Sequence, residues 1–171
     1  SPAADSVPAM AAVGAIARIA GPNGIRDIPV EEIPTGPGKT SLSKGELVTS
    51  IFFPKKADNT GDDYLRFIPR TEMDIAVVGS GVSLSLDNNG TCTAAKVVLG
   101  AVGPRIIVCE EAANALIGSK VDEAAIEAAG AAATAAATPI SDKRGTVEYR
   151  KKVAGVLARR ATAKALERAK G

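Results

Sequence analysis

Residues 74–87 read DIAVVGSGVSLSLD, and the meaning of the two glycines in this stretch decides the fold. Four apolar residues, Ile75 to Val78, run into Gly79-Ser80-Gly81. A dinucleotide-binding loop would need G-x-G-x-x-G opening a helix, with an acidic residue about 20 positions further on. Leu84 stands where the third glycine belongs. Beyond Gly81, Val82, Leu84 and Leu86 alternate with Ser83, Ser85 and Asp87, and Asn88-Asn89-Gly90 follows. A period of two that ends at an Asn-Gly turn is a strand entering a hairpin. The stretch predicts one long strand over 74–87, whose glycines mark a bend, a bulge or close packing.

The neighbours extend this reading. YLRFIPR (64–70), the long strand and TCTAAKVVLGAV (91–102) predict a three-stranded antiparallel meander. RIIVC (105–109) leads into a helix, EEAANALIG (110–118), with acidic residues in its first turn and Gly118 past its end. The alanine-rich segment 121–139 predicts a second helix ended by Pro139, since alanine has the highest helix propensity. Residues 140–170 predict a long helix capped by Ser141 or Asp142, with Tyr149, Val153, Val156, Leu157 and Ala161 on one face.

Upstream, DSVPAMAAV (5–13) begins as a short helix with Asp5 or Ser6 as N-cap. AIARIAGPNGIRDIPV (15–30) predicts two strands about Gly21-Pro22-Asn23-Gly24. GPGKTSL (36–42) is a turn-rich connection rather than a phosphate loop, because Ile33 occupies the position of the first required glycine. GELVTSIFFP (45–54) is a strand closed by Pro54, and KKADNTGDD (55–63) is a polar break suited to a domain boundary. Short strands, then an antiparallel sheet, then helices to cover it make an α+β fold.

Composition narrows the chemistry. The chain has 171 residues and no histidine, which removes Ser-His-Asp and Cys-His catalysis and the commonest metal ligand. Two cysteines, Cys92 and Cys109, are too few for a zinc or iron–sulfur site of about four ligands. They predict buried thiols in a reducing cytoplasm, with a single disulfide as the alternative. No apolar run spans a membrane, and no signal-peptide pattern opens the sequence. Residues 143–170 hold ten Lys and Arg against two Glu, so the remainder carries net −6 of a total of +2. Single-strand nucleic-acid binders need aromatic stacking platforms. Tyr149 is the only aromatic in the run, so it predicts a solvated face or one meeting an acidic partner.

SPAADSVPAM (1–10), GELVTSIFFP (45–54), RTEMDIAVVGSGVSLSL (70–86) and PISDKRGTVEYRKKVAGVLARRA (139–161) occur in this order. Together they resemble the FAD-binding medium subunit of the molybdenum hydroxylases, the family of carbon monoxide dehydrogenase and xanthine dehydrogenase. The resemblance covers essentially the whole chain, most strongly in MDIA and SD-x-RG-x-x-EYR. It implies that residues 1–54 are the end of the FAD-binding lobe and 62–171 the small C-terminal domain. By position, Asp5 and Arg66 match flavin-contacting acidic and basic residues, Val48 an apolar flavin contact, and Ser1 the edge of the same loop. The readings of Asp5 as a cap, Val48 as core and Arg66 as a surface charge stand beside these. The resemblance implies no catalytic acid or base and no metal ligand in this chain. It implies FAD here, and a cytoplasmic heterotrimer with [2Fe-2S] clusters in a small subunit and the molybdenum cofactor in a large molybdopterin subunit. Electrons would pass from the clusters through FAD to an external acceptor. The family's two Gly-Gly phosphate turns lie upstream of SPAAD and are not in this sequence. A non-catalytic assembly or binding module that holds no flavin is the alternative.

Overall fold

A computed structural model describes residues 1–70 and 75–171. Helix α1 (Ser6–Ala12) leads into the hairpin β1 (Ile16–Gly21) and β2 (Gly24–Pro29), and a single helical turn follows at Val30–Glu32. Two short strands, β3 (Pro34–Gly36) and β4 (Lys39–Thr40), pair across GPGK, and β5 (Leu47–Phe52) returns to β1. The first sheet therefore has the order β2-β1-β5, antiparallel throughout. Arg18 faces Asp27 across β1 and β2, with a two-pronged ion pair at 2.8 and 2.9 Å.

The second sheet has the order β6 (Thr60–Phe67), β7 (Val78–Leu86), β8 (Cys92–Gly100) and β9 (Ile107–Val108), again antiparallel. The expected meander is present, and β9 adds a fourth strand at its edge. Two residues carry no detectable period, which is why the sequence pattern passes over β9. The strand expected over 74–87 runs from Val78 to Leu86, and no helix begins at Gly81. Met73 and Asp74 of the MDIA segment lie outside the described residues. The turn at 88–90 is closed by Asp87, whose carboxylate accepts from the amides of Asn89 (2.9 Å) and Thr91 (2.7 Å). Strand β6 starts at Thr60, inside the polar stretch read as a break. As an edge strand it takes a polar sequence without loss, because its outer backbone edge is not paired within the sheet.

Helices α2 (Glu110–Leu116) and α4 (Val147–Lys170) pack on one face of this sheet, and α3 (Glu123–Ala136) packs against both helices. Strand β7 explains the choice of face. Val78, Val82, Leu84 and Leu86 all point to the helices, and so do Val97 and Leu99 of β8. Ala158, Ala161 and Ala165 of α4, with Ala129 and Ala133 of α3, complete the same core with no exposure. At Gly61 a Cβ would collide with the backbone of α4 at Ala165 and Ala169, so the helix axis lies hard against β6.

The cap of α4 differs from expectation. Thr146 caps it, accepting from the Tyr149 amide at 3.2 Å. Asp142 instead closes a small turn with Gly145, and its carboxylate accepts from the Arg144 amide at 2.8 Å. Ser141 accepts from the Val147 amide at 3.0 Å. Residues 141–146 thus form a knot ahead of the helix, and the side chains read as caps hold the knot. The helix α3 is capped by Asp122, which accepts from the Ala125 amide at 3.0 Å.

Candidate functional site

The other face of the second sheet is built from small residues. Gly79, Gly81, Ser83 and Ser85 alternate with the large side chains of β7, so one face of the strand has almost no side-chain bulk. Helix α1 fills part of this space. A Cβ at Gly81 would lie 2.7 Å from the Pro8 carbonyl oxygen, and one at Gly100 would lie 2.8 Å from the Pro8 ring. This answers the question raised by GSG: the glycines admit a helix backbone, not a phosphate. Ala11, Ala12, Ala17, Val30 and Val98 close a small apolar core there.

The remaining space is taken by Tyr64. It stands opposite Gly81 in the β6–β7 register, and Arg66 stands opposite Gly79. Its ring leans along the sheet, so a Cβ at Gly79 would come within 2.6 Å of the hydroxyl. The hydroxyl donates to Oδ1 of Asp5 at 3.4 Å, and Nη1 of Arg66 pairs with Oδ2 of the same carboxylate. Asp5 precedes α1 but makes no cap hydrogen bond to it. Its carboxylate turns away from the helix to meet two side chains some sixty residues distant in sequence. The Asp5 and Arg66 side chains keep 35% and 38% of their surface open, so the pair can be reached by a ligand. Burial first, and then the Asp5 carboxylate, push the Tyr64 phenol up, so it remains a neutral donor.

Of the residues singled out in the sequence, Asp5 and Arg66 are therefore brought into contact. Ser1 lies on the wall of a cavity of about 590 Å³ that also touches Pro2, Ile75, Ala101, Pro139 and Arg150. Val48 lies in β5 opposite Ile19 and is 37% exposed. Two residues were missed. Tyr64 had a legible signal, the shared face of Tyr64 and Arg66 in an alternating strand. Arg150 was counted with the basic run, yet it is buried. It donates to the carbonyls of Val77 (3.3 Å), Ile140 (2.8 Å) and Ala101, tying α4 to the end of β7 and the loop after β8. Tyr149, its neighbour, meets Phe67 edge-on with ring centroids 5.9 Å apart. Cys92 and Cys109 are both buried and unbridged, and burial pushes both thiols up. Among the described residues no cluster of His, Cys, Asp and Glu could hold a metal ion, and no helix is long and apolar enough to cross a membrane.

The fold is an α+β module in which a half-exposed Asp5–Arg66 ion pair joins a short helix to the second sheet. The chain belongs to the CO dehydrogenase flavoprotein C-terminal domain family, which matches residues 63–165. Residues 1–56 match the FAD binding domain in molybdopterin dehydrogenase. The carbon monoxide dehydrogenase medium chain of Afipia carboxidovorans is 35% identical over 99% of this chain and 58% of its own length. The alpha subunit of the 6-hydroxypseudooxynicotine dehydrogenase complex of Paenarthrobacter nicotinovorans is 32% identical, over 86% of this chain and 49% of its own. A solved carbon monoxide dehydrogenase from Hydrogenophaga pseudoflava, lacking the Mo-pyranopterin moiety of its molybdenum cofactor, superposes with a TM-score of 0.92 at 32% identity. It covers 98% of this chain and 58% of its own. The chain thus spans about half the length of these relatives.

Proposed function

We propose that this chain is the C-terminal part of the FAD-carrying medium subunit of a molybdenum hydroxylase, with residues 1–54 closing the flavin lobe and 62–171 forming the small domain behind it. The observation that carries this reading is the contact of Asp5 with Arg66, which joins the two segments through groups suited to a flavin. The edge of an isoalloxazine offers an N–H donor beside carbonyl acceptors, and an exposed carboxylate beside a guanidinium matches that pattern. When bound, FAD supplies the redox chemistry, accepting electrons from iron–sulfur clusters and passing them to an external acceptor. Asp5 and Arg66 hold and polarise that edge. Ser1 and Val48 border the same flavin, the first from the loop before α1 and the second from the edge strand β5. This chain needs no general acid or base for that task, in keeping with its lack of histidine.

The reading includes an assembly with an iron–sulfur small subunit and a molybdopterin large subunit, and a cytoplasmic location in keeping with two buried free thiols. The test is the flavin spectrum of the full-length subunit. Wild type should carry close to one FAD per chain. Arg66→Met and Asp5→Asn should each weaken FAD binding about tenfold, the effect of removing a charge-assisted hydrogen bond. A full-length wild-type subunit that takes up no flavin would overturn the proposal.

A further inference from the structure

The carboxylate of Asp5 is divided between two unlike donors. Oδ2 faces the Arg66 guanidinium, which carries charge, while Oδ1 faces the Tyr64 phenol, which does not. The phenol is seated on the bare strand beneath it. Its ring lies over the gap left by Gly79, where any side chain would meet the hydroxyl, and it rests opposite the equally bare Gly81. It is more buried than Arg66. A half-exposed ion pair would otherwise sample many geometries, since long side chains in water gain little from holding one arrangement.

We propose that Tyr64 is a positioning residue for the flavin site: by holding Oδ1 of Asp5 it fixes the carboxylate plane, and so determines how much of the Arg66 guanidinium is left to face the flavin. This rests on the flavin reading above. The phenol keeps its proton across the working range, because burial and the neighbouring carboxylate both oppose its ionisation. It therefore serves as a constant donor rather than a switch. By withdrawing charge from Asp5 it also leaves the surroundings of Arg66 more positive than a free carboxylate would.

The variant that isolates the hydroxyl is Tyr64→Phe in the full-length, FAD-loaded subunit. The ring remains over Gly79, so packing is preserved, and a thermal melt checks that it is. The flavin reduction potential should fall, and the FAD dissociation constant should rise about fivefold, the worth of one net hydrogen bond. In an Asp5→Asn background the same substitution should change the dissociation constant by less than twofold and leave the potential where Asp5→Asn alone puts it, because the charged acceptor through which Tyr64 acts is gone. A purely structural tyrosine would give the same effect in both backgrounds, and that result overturns the proposal. So does an unchanged potential in Tyr64→Phe. If the wild-type subunit binds FAD, and Arg66→Met perturbs it while Tyr64→Phe does not, the positioning role fails and the flavin reading stands. If wild type binds no FAD, the flavin reading itself fails.

Discussion

The two faces of the second sheet are made from the same strands yet obey different rules. Toward the helices, β7 and β8 present Val78, Val82, Leu84, Val97 and Leu99, and fully buried alanines of α3 and α4 belong to the same core. Toward α1, the same strands present Gly79, Gly81, Ser83 and Gly100, and the space is taken by a helix backbone, a tyrosine and an ion pair. The first face is a packed core, where every methylene contributes to stability. The second gives up side-chain burial to bring polar groups of distant segments together. On the proposed reading, stability and flavin binding are separated by the pleat of a single strand, and substitutions on the two faces should fail in different ways.

The largest expected effect is on the packed face. Gly61→Ala places a methyl into the backbone of α4 at Ala165 and Ala169, which no rotamer change relieves. It should destabilise the fold by about 3 kcal/mol, the upper end of the overpacking range, as read from denaturant unfolding. Gly79→Ala is the matched substitution on the other face. Its methyl meets the Tyr64 hydroxyl, the far end of a side chain that can turn away. It should cost only about 1 kcal/mol while displacing the phenol from Asp5 and weakening FAD binding. Equal losses of stability from the two glycines would break the comparison.

Arg150 is next in size and sits where the faces join. It is 6% exposed and donates to carbonyls of the residue before β7, the loop after β8 and Ile140, just before the knot ahead of α4. Arg150→Met should lower stability by about 2 kcal/mol, because the carbonyl of the buried Val77 is left without that donor and two further hydrogen bonds are lost, again measured by denaturant unfolding. The signature EYR is then a structural clamp. FAD affinity in that variant should follow stability and not fall ahead of it.

A smaller, sharper effect is expected at the ion pair. A unit charge at roughly 4 Å in an effective dielectric near 20 is worth about 4 kcal/mol before desolvation. The Asp5 carboxylate against Arg66 and the access of water reduce this to the order of 1 kcal/mol. Arg66→Met should lower the flavin reduction potential, since a cation near the ring favours the reduced anionic form. Asp5→Asn should raise it. The two signs must be opposite in a redox titration of the loaded subunit, and like signs would show that the pair acts on the flavin only through folding.

Much of this division was legible in the sequence. The alternation of large and small residues in VGSGVSLSL gives the strand, its register and its bare face at once. The helix beginnings were less legible, because Ser141 and Asp142 are as good at closing a turn as at capping a helix. Only the positive φ of Gly145 and its pairing with Asp142 place the start of α4 at Val147. Asp5 misleads in the same way: a carboxylate before a helix reads as a cap, but its partners lie in β6, and no local pattern announces contacts over sixty residues. Arg150 was hidden because a run of charge gives no sign of which member turns inward.

The first sheet and the packed core also differ in how they meet a change of pH. Beside the first sheet, Glu46 accepts from Arg26 at 2.8 and 2.9 Å and from the Ser43 amide at 2.7 Å. The Arg26 guanidinium, and then that amide, hold its carboxyl down at about 2 against the effect of desolvation. A carboxylate depressed on folding contributes stability above its unfolded value and loses it as the pH falls through the folded one. The contribution should therefore fade between about pH 4.5 and pH 2. Glu46→Gln should flatten the acid limb of a stability–pH curve in that window and leave the neutral plateau slightly lower.

The packed side should fail at the opposite end of the scale. Cys92 and Cys109 lie in the larger core with 1% exposure, and burial is the main cause of the rise in both thiols. The folded chain therefore keeps its two protons at a pH where the unfolded chain, with thiols near 9.0, gives them up. Stability from this source is complete below that value and declines as the pH rises past it, because the unfolded state then binds fewer protons than the native one. The effect is smaller than those above, since it begins only outside the physiological range. It has a direct check in reactivity. At pH 8 an alkylating reagent should leave both thiols untouched in the native protein and modify both after denaturation, because the reagent attacks thiolate and requires access. Rapid labelling of either cysteine in the folded chain would mean that the packed face opens locally. The comparison would then narrow to the half of the core nearer α4.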